Sequence, residues 1–455
     1  MSKPTGRLET TLWRLSIPIM ISFTARFLFG LVDMGYAVAI HDPDAVAAIG
    51  FYIPIQTLYG AVWVGLSAGF TANLSEAMGH GDDARITRLK HAAMRLLLIL
   101  IPFLSILGGL FLLVIPHFGL EPGLTRAFSI YAGVLMIGSP LTGFWSIIPD
   151  SIVKAHHDTH STMVAGLVST VANVTLNTLF VFGFGMGILG IALATVLSRF
   201  ASLGYALVRA RKLERSRRGS ASPSCTPESG YRRAPIPGIL VLALPSMLAY
   251  VLMAVEGGVV NTLLASMPNS TVAIASYGAY ARMLGLALMP AIGASIAVLP
   301  FVARRRAEGR SATLGRELRE TFLLCLVLAI LLTVPMAWIF NESLAAMILA
   351  DKGREFPETI RITAEILRLL PLAALAALPF ALLRPVFEAV QRPRLGLFIS
   401  LLRFFAFALP FLFLGRYFAP TVGLTPLTGM VLGLILASLL ASLATVYLVR
   451  RCLSD

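Results

Sequence analysis

Apolar residues come in runs of about twenty, the length that crosses a hydrocarbon core, and these runs recur from one end of the chain to the other. Polar breaks between them place spans at 13 to 38, 45 to 74, 92 to 116, 127 to 152, 163 to 184, 187 to 208, 236 to 265, 271 to 302, 321 to 348, 361 to 389, 395 to 416 and 426 to 449. The pattern predicts an all-α membrane protein of twelve transmembrane helices, with both ends on one side.

The polar breaks are not alike. Basic residues gather in alternate ones: Arg85, Arg88 and Lys90; Lys154; the stretch 209 to 233; Arg304, Arg305, Arg306 and Arg310; Arg392 and Arg394; Arg450 and Arg451. Intervening loops such as H-D-P-D (41 to 44) and S-M-P-N-S-T (266 to 271) carry few or none. Positive charge stays on the cytoplasmic side of a membrane, so both termini are expected there. Composition agrees: 57% of residues are hydrophobic and 13% charged, where a soluble globule carries about 25% charge. The net charge of +14 therefore reads as topology, with membrane lipid as the partner and not nucleic acid. Of the three cysteines, Cys225 and Cys452 fall in cytoplasmic segments and Cys325 in a helix, so no disulfide framework is expected. The first apolar run is too long for a cleavable signal peptide and is expected to stay as a span.

The segment 209 to 233 is polar and rich in Ser, Pro and Gly, the composition of a flexible linker. It divides the chain into an amino-terminal six-helix lobe (1 to 208), a basic linker (209 to 235) and a carboxy-terminal six-helix lobe (236 to 455). The halves echo one another. L-S-I-P (15 to 18) matches L-A-L-P (242 to 245), V-A-A-I-G-F-Y (46 to 52) resembles V-A-I-A-S-Y-G (272 to 278), and S-I-V-K-A (151 to 155) sits where P-V-F-E-A (385 to 389) does, a match weak residue by residue but consistent in order and spacing. Six helices per repeat start both repeats on the same side, so a pseudo-two-fold axis along the membrane normal is expected.

Asp33 lies inside the first span. An ionised carboxylate at that depth must be paired, hydrated or protonated, and intramembrane acids mark ion or substrate pathways. Glu256 lies in the matching helix of the second half, within about one helical turn of the equivalent depth. In N-V-T-L-N (173 to 177), Asn173 and Asn177 share a face at i, i+4 spacing. Thr195 follows on the next span. Such oxygens coordinate Na⁺ or hydrogen-bond a protonated acid; they also serve as glue between helices.

Several stretches carry a family likeness: L-V-D-M-G-Y with A-A-I-G; E-A-M-G-H-G-D; V-K-A-H-H-D-T; N-V-T-L-N; G-I-L-G-I-A-L-A-T-V-L-S-R; and F-E-A-V-Q-R-P-R with S-L-L-R. In their order and spacing the sequence resembles the multidrug and toxic compound extrusion (MATE) transporters along essentially its whole length. The resemblance implies that Asp33 is the cation-coupled acid, Asn173 and Thr195 its partners, and Glu256 the acid one branch uses in the carboxy-terminal lobe. Departures accompany it. Asn177 stands where many members have an aspartate, Phe29 where a tyrosine is usual, His157 where a glycine is usual, and the tenth span has no aspartate.

Arginine also occurs within spans, at Arg26, Arg282 and Arg384. Arginine inside a membrane faces a cavity, pairs with an acid or snorkels. An arginine-lined cleft suits an anionic lipid, which keeps a flippase of a lipid-linked precursor as the alternative. G-M-G-I-L-G (185 to 190) follows no strand and so fails the dinucleotide test. H-H-D-T-H (156 to 160) lacks a second ligand cluster for a metal. No phosphate-cradling Gly-rich loop with Lys and Ser or Thr is present.

The expected function is secondary active multidrug efflux from a bacterial inner membrane, not enzymatic chemistry. Amphipathic organic cations leave in exchange for H⁺ or Na⁺, with no cofactor, and the protein works as a monomer. Asp33, Asn173, Asn177, Thr195 and Glu256 are the expected coupling residues. Phe29, Tyr36, Arg26 and Phe180 are expected to line the substrate cleft.

Overall fold

The computed structural model describes residues 11 to 118, 121 to 219, 234 to 267, 269 to 348 and 357 to 454, and among them the chain is helical with no strand. Cys225 and most of the basic linker lie outside the described residues. The amino-terminal half contains α1 (Leu12–Ala39), α2 (Pro43–Gly79), α3 (Asp83–Val114), α4 (Pro122–Ser139), α5 (Ile147–Ala155), α6 (Thr159–Asn177) and α7 (Gly187–Gly219). The carboxy-terminal half contains α8 (Pro235–Ala265), α9 (Ser270–Ala307), α10 (Leu314–Trp338), α11 (Asn341–Ile348), α12 (Pro357–Leu367), α13 (Leu370–Leu383), α14 (Pro385–Ala389), α15 (Pro393–Leu401), α16 (Leu409–Phe418) and α17 (Pro426–Ser454). Eleven described stretches are long and apolar enough to cross a membrane, and the apolar part of α1, Leu12–Ala25, adds a shorter one.

Helix starts follow from the acidic turns. Asp42, Asp82 and Asp158 each accept backbone N–H groups at the start of α2, α3 and α6, meeting donors that a first turn leaves without partners. The H-H-D-T-H segment is thus a helix stop and start. His157 has a left-handed φ of 59°; His157 N–H donates to Lys154 O and Asp158 N–H to Val153 O, a helix-ending pair of bonds closed through a left-handed residue.

Contacts divide the chain into two compact units. One comprises Ile21–Met247 with Leu299–Gly309, the other Met1–Met20, Leu248–Val298 and Arg310–Asp455. Three of the divisions fall inside α1, α8 and α9, because each of these helices packs its two parts on different neighbours, and the fourth follows the end of α9. The first part of α8 lies against α2, where a Cβ on Gly65 or Gly69 would stand 2.6 Å from Ala243 O or 2.5 Å from Ile239 O. The first part of α1 lies against α9, where a Cβ on Gly293 would meet the Met20 Cα at 2.7 Å.

In the first unit, Phe70, Leu74, Ile86, Leu97 and Ile147 form one core, and Tyr52, Phe128, Tyr131, Leu135 and Ile191 another. In the second, Val260, Leu264, Tyr280, Ile366, Leu370, Leu412 and Met430 pack together. Large apolar side chains such as Ile99, Leu113 and Leu331 are exposed, which suits a lipid surround.

Candidate functional site

Asp33, on α1, accepts a hydrogen bond from Asn177 Nδ2 at 2.7 Å and another from Thr195 Oγ1 at 3.2 Å. Asn177 Nδ2 also donates to Asn173 Oδ1 at 3.2 Å, and Asn173 Nδ2 to Thr195 Oγ1 at 3.5 Å. The structure brings these four sequence-selected residues together. Local folding explains why. The i, i+4 spacing of α6 stacks the two asparagines on one face. Directly after Asn177 the helix widens into a π turn, Thr178–Gly183, of the kind that collects at functional sites. Gly185 and Gly187 then adopt left-handed φ values of 62° and 54° and reverse the chain into α7, which carries Thr195 back to Asp33. The G-M-G-I-L-G stretch is this reversal.

The site is polar on one side and unsaturated on the other. The Thr195 hydroxyl has one proton to share between Asp33 and Ile191 O, 3.0 Å away. Asn177 Oδ1 is buried and has no hydrogen-bond partner. A carboxylate, two amide oxygens and a hydroxyl form a hard-oxygen set, which fits Na⁺ or a proton. The unpartnered Asn177 oxygen beside the carboxylate is where an added donor or cation gains most.

Tyr36 lies about one turn beyond Asp33. Its hydroxyl is 2.5 Å from Thr178 Oγ1 and 3.3 Å from Val174 O, so it braces the π turn. Phe180 stacks on Phe184, with ring centroids 6.2 Å apart. The side chains of Arg26 and Phe29 lie outside the described residues. The sequence reading passes over Arg199, four residues after Thr195. Its Nη1 donates to Ser139 Oγ at 2.8 Å, and its charge acts on Asp33, Tyr52 and Tyr131. A basic residue at the end of the T-V-L-S-R motif could have drawn attention to it.

Glu256 is elsewhere, in the second unit. Its Oε1 accepts from Arg403 Nη2 at 2.8 Å, and the two line a cavity with Tyr250, Met253, Phe380 and Arg384. Arg384 pairs with Glu388, Nη1 to Oε1, at 3.1 Å, while Arg282 is exposed.

At the turn before α6, burial pushes the His157 imidazole down to about 3, with Arg304 and Arg305 adding repulsion and a backbone bond at Pro300 opposing. For Asp158, burial acts upward, but bonds from Arg209 and Ser161 outweigh it and hold the carboxyl below its ordinary value. Arg209 Nε lies 2.6 Å from Asp158 Oδ2.

The MatE family profile matches residues 18–179 and 245–414. A curated relative from Shewanella oneidensis, named an FAD transporter, is 26% identical over 99% of this chain and 96% of its own length. The multidrug export protein MepA of Staphylococcus saprophyticus is 29% identical over 63% of this chain and 62% of its own. A probable multidrug resistance protein NorM of Thermotoga maritima is 23% identical over 77% and 73%. Among solved structures, one described as the outward-facing conformation of a MATE transporter of the MOP superfamily superposes with TM-score 0.84 at 19% identity, covering 99% of both chains. Another, a MOP superfamily transporter of Pyrococcus furiosus described as having a binding pocket of reverse polarity, superposes with TM-score 0.85 at 19% identity and the same coverage. The chain belongs to the MatE family, a multi-pass membrane transporter of the multidrug and toxic compound extrusion type.

Proposed function

We propose that the protein exports small amphipathic organic compounds across a bacterial inner membrane, both termini in the cytoplasm, using inward flow of H⁺ or Na⁺. The observation that supports this most is the donor-held Asp33 carboxylate with the unpartnered Asn177 oxygen beside it. Taking up a cation there changes which bonds Asp33 makes to α6 and α7. Binding on that site drives a conformational change only as far as the cation prefers one state over the other.

The cargo has two readings. Relatives named for multidrug export and multidrug resistance support drugs as the cargo. The full-length similarity to a protein named an FAD transporter supports a flavin dinucleotide.

Efflux of a fluorescent organic cation and of FAD from cells, at varied Na⁺ and pH, tests both. Asp33→Asn, which keeps size and bonding but cannot ionise, should reduce gradient-driven export of either cargo at least tenfold. Unchanged export by that variant would sink the reading, and dependence on Na⁺ at fixed pH names the ion.

A further inference from the structure

The cavity of the second unit holds a charge arrangement that a cation site at Glu256 does not require. Arg403 lies in a π turn, Leu402–Ala408, which aims its guanidinium at Glu256 and lays it over the Phe380 ring, 5.5 Å from the centroid. Arg384 lies over Tyr250 at 5.4 Å. Two guanidinium groups, each on an aromatic face, thus line one small cavity.

The echo of S-I-V-K-A (151 to 155) in P-V-F-E-A (385 to 389) sets the register in which this polarity can be compared between the halves. Val390, Gln391 and Arg392 repeat the three backbone bonds of His156, His157 and Asp158 at equal spacing, with Gln391 also left-handed at φ 62°. That register puts Arg384 at the place of Asp150, and Glu388 at the place of Lys154. In the first half Lys154 Nζ meets Asp150 Oδ2 at 2.5 Å; in the second the same i, i+4 pair has its signs exchanged.

The Glu256–Arg403 pair is also incomplete. Only Oε1 is bonded, and Oε2 is buried without a hydrogen-bond partner. Guanidinium groups match carboxylate and phosphate oxygens through a fork of parallel donors, and a single bond leaves that capacity unused. Each arginine already has one carboxylate, so an incoming anion gains a guanidinium only by displacing one. Glu256, which lines the cavity and is half satisfied, is the one that yields.

We propose that this cavity is an oxyanion subsite: a phosphate-type group carried on an aromatic body takes Arg403 from Glu256 and rests against Phe380 and Tyr250. Its use in transport rests on the export reading, while the binding itself does not.

Riboflavin and its phosphate monoester share a ring system and differ by one phosphate, so their binding to the purified full-length protein in neutral-lipid nanodiscs isolates the anion. The monoester should bind at least tenfold more tightly than riboflavin, the scale of one charge-assisted bond. Arg403→Gln should cut that preference below twofold while riboflavin binding persists, and Arg403→Lys, which keeps the charge without the fork, should fall between. Glu256→Gln, which removes the competing charge, should tighten the monoester about fivefold. Adding phosphatidylglycerol separates sources: displacement of the monoester identifies a lipid headgroup, and none identifies a soluble phosphate, the subsite standing in both cases. Equal affinity of the two flavins, equal loss of both in Arg403→Gln and Arg403→Lys, or a monoester held no tighter by Glu256→Gln overturns the proposal. Asp33→Asn should leave monoester binding intact, so failure of coupling and failure of this subsite remain distinct.

Discussion

Asp33 receives its bonds from donors on α6 and α7, while Asn177 Oδ1 has nothing to accept. Such an arrangement is complete only when something positive arrives. A second residue-scale feature is His157, kept neutral where an unfolded histidine protonates near 6.5. Its pKa of about 3 in the fold means that the unfolded chain binds the extra proton as pH falls below 6.5, so stability declines with it. Asp158 contributes in the other sense: its stabilisation is full above the ordinary carboxyl value of 3.8 and is lost only below that. The thermal midpoint in detergent should therefore drop between about pH 6.5 and 4.5, and drop less in His157→Asn, since asparagine tolerates the left-handed backbone without titrating. An equal drop in both would remove His157 from the account. Residues were unequally legible in sequence. Asp33, Asn173, Asn177 and Thr195 stand out as polar groups at helical spacing in apolar runs. Arg199 and Arg403 did not, although both sit inside expected spans, because a lone arginine in an apolar run does not show which partner on another helix it meets.

Helices here approach closely wherever glycine permits. On α17, Gly429 and Gly433 are four apart, and a Cβ on Gly429 would stand 2.1 Å from Gly415 O on α16. Close packing of backbones is a principal source of helix association in lipid. Gly429→Leu should therefore part α16 from α17 and cost about 3 kcal/mol or more, the upper range of overpacking, read as a fall in thermal midpoint and loss of a monodisperse peak. A variant as stable as the parent would show that the two helices have room to separate. Element positions were mostly readable from the apolar runs, whereas their subdivision was not. The single span expected at 361 to 389 is three helices, α12, α13 and α14, and the π turns at Thr178–Gly183 and Leu402–Ala408 leave no mark in hydrophobic periodicity. The subdivision follows proline, as where Pro385 starts α14 directly after Arg384, whereas the two π turns contain none.

Across the whole molecule, the echo of S-I-V-K-A in P-V-F-E-A sets two like turns in register, although the same helix-ending bonds also close α2 at His80, Gly81 and Asp82. The turn between α5 and α6 and the turn between α14 and α15 carry the same bonds in the same order, although V-K-A-H-H-D-T and F-E-A-V-Q-R-P share one residue. The ion pairs before those turns test how far the halves are interchangeable. Asp150→Arg or Lys154→Glu alone leaves two like charges one turn apart in a largely buried place, and each should cost about 3 kcal/mol. Together they rebuild the pair in the opposite sense, as Arg384 and Glu388 already do, and should restore most of the lost thermal stability. Additive losses in the double variant would mean that the surroundings of each half, Trp63 against Lys154 among them, fix the polarity independently.

The exchanged signs have a historical consequence. Any route by single substitutions between the two arrangements passes through a protein with a lone buried charge or two repelling ones, so once each copy of the duplicated segment had acquired its polarity, neither was free to drift back. Ancestry and opposite charge preference are thereby written into the same pair of positions.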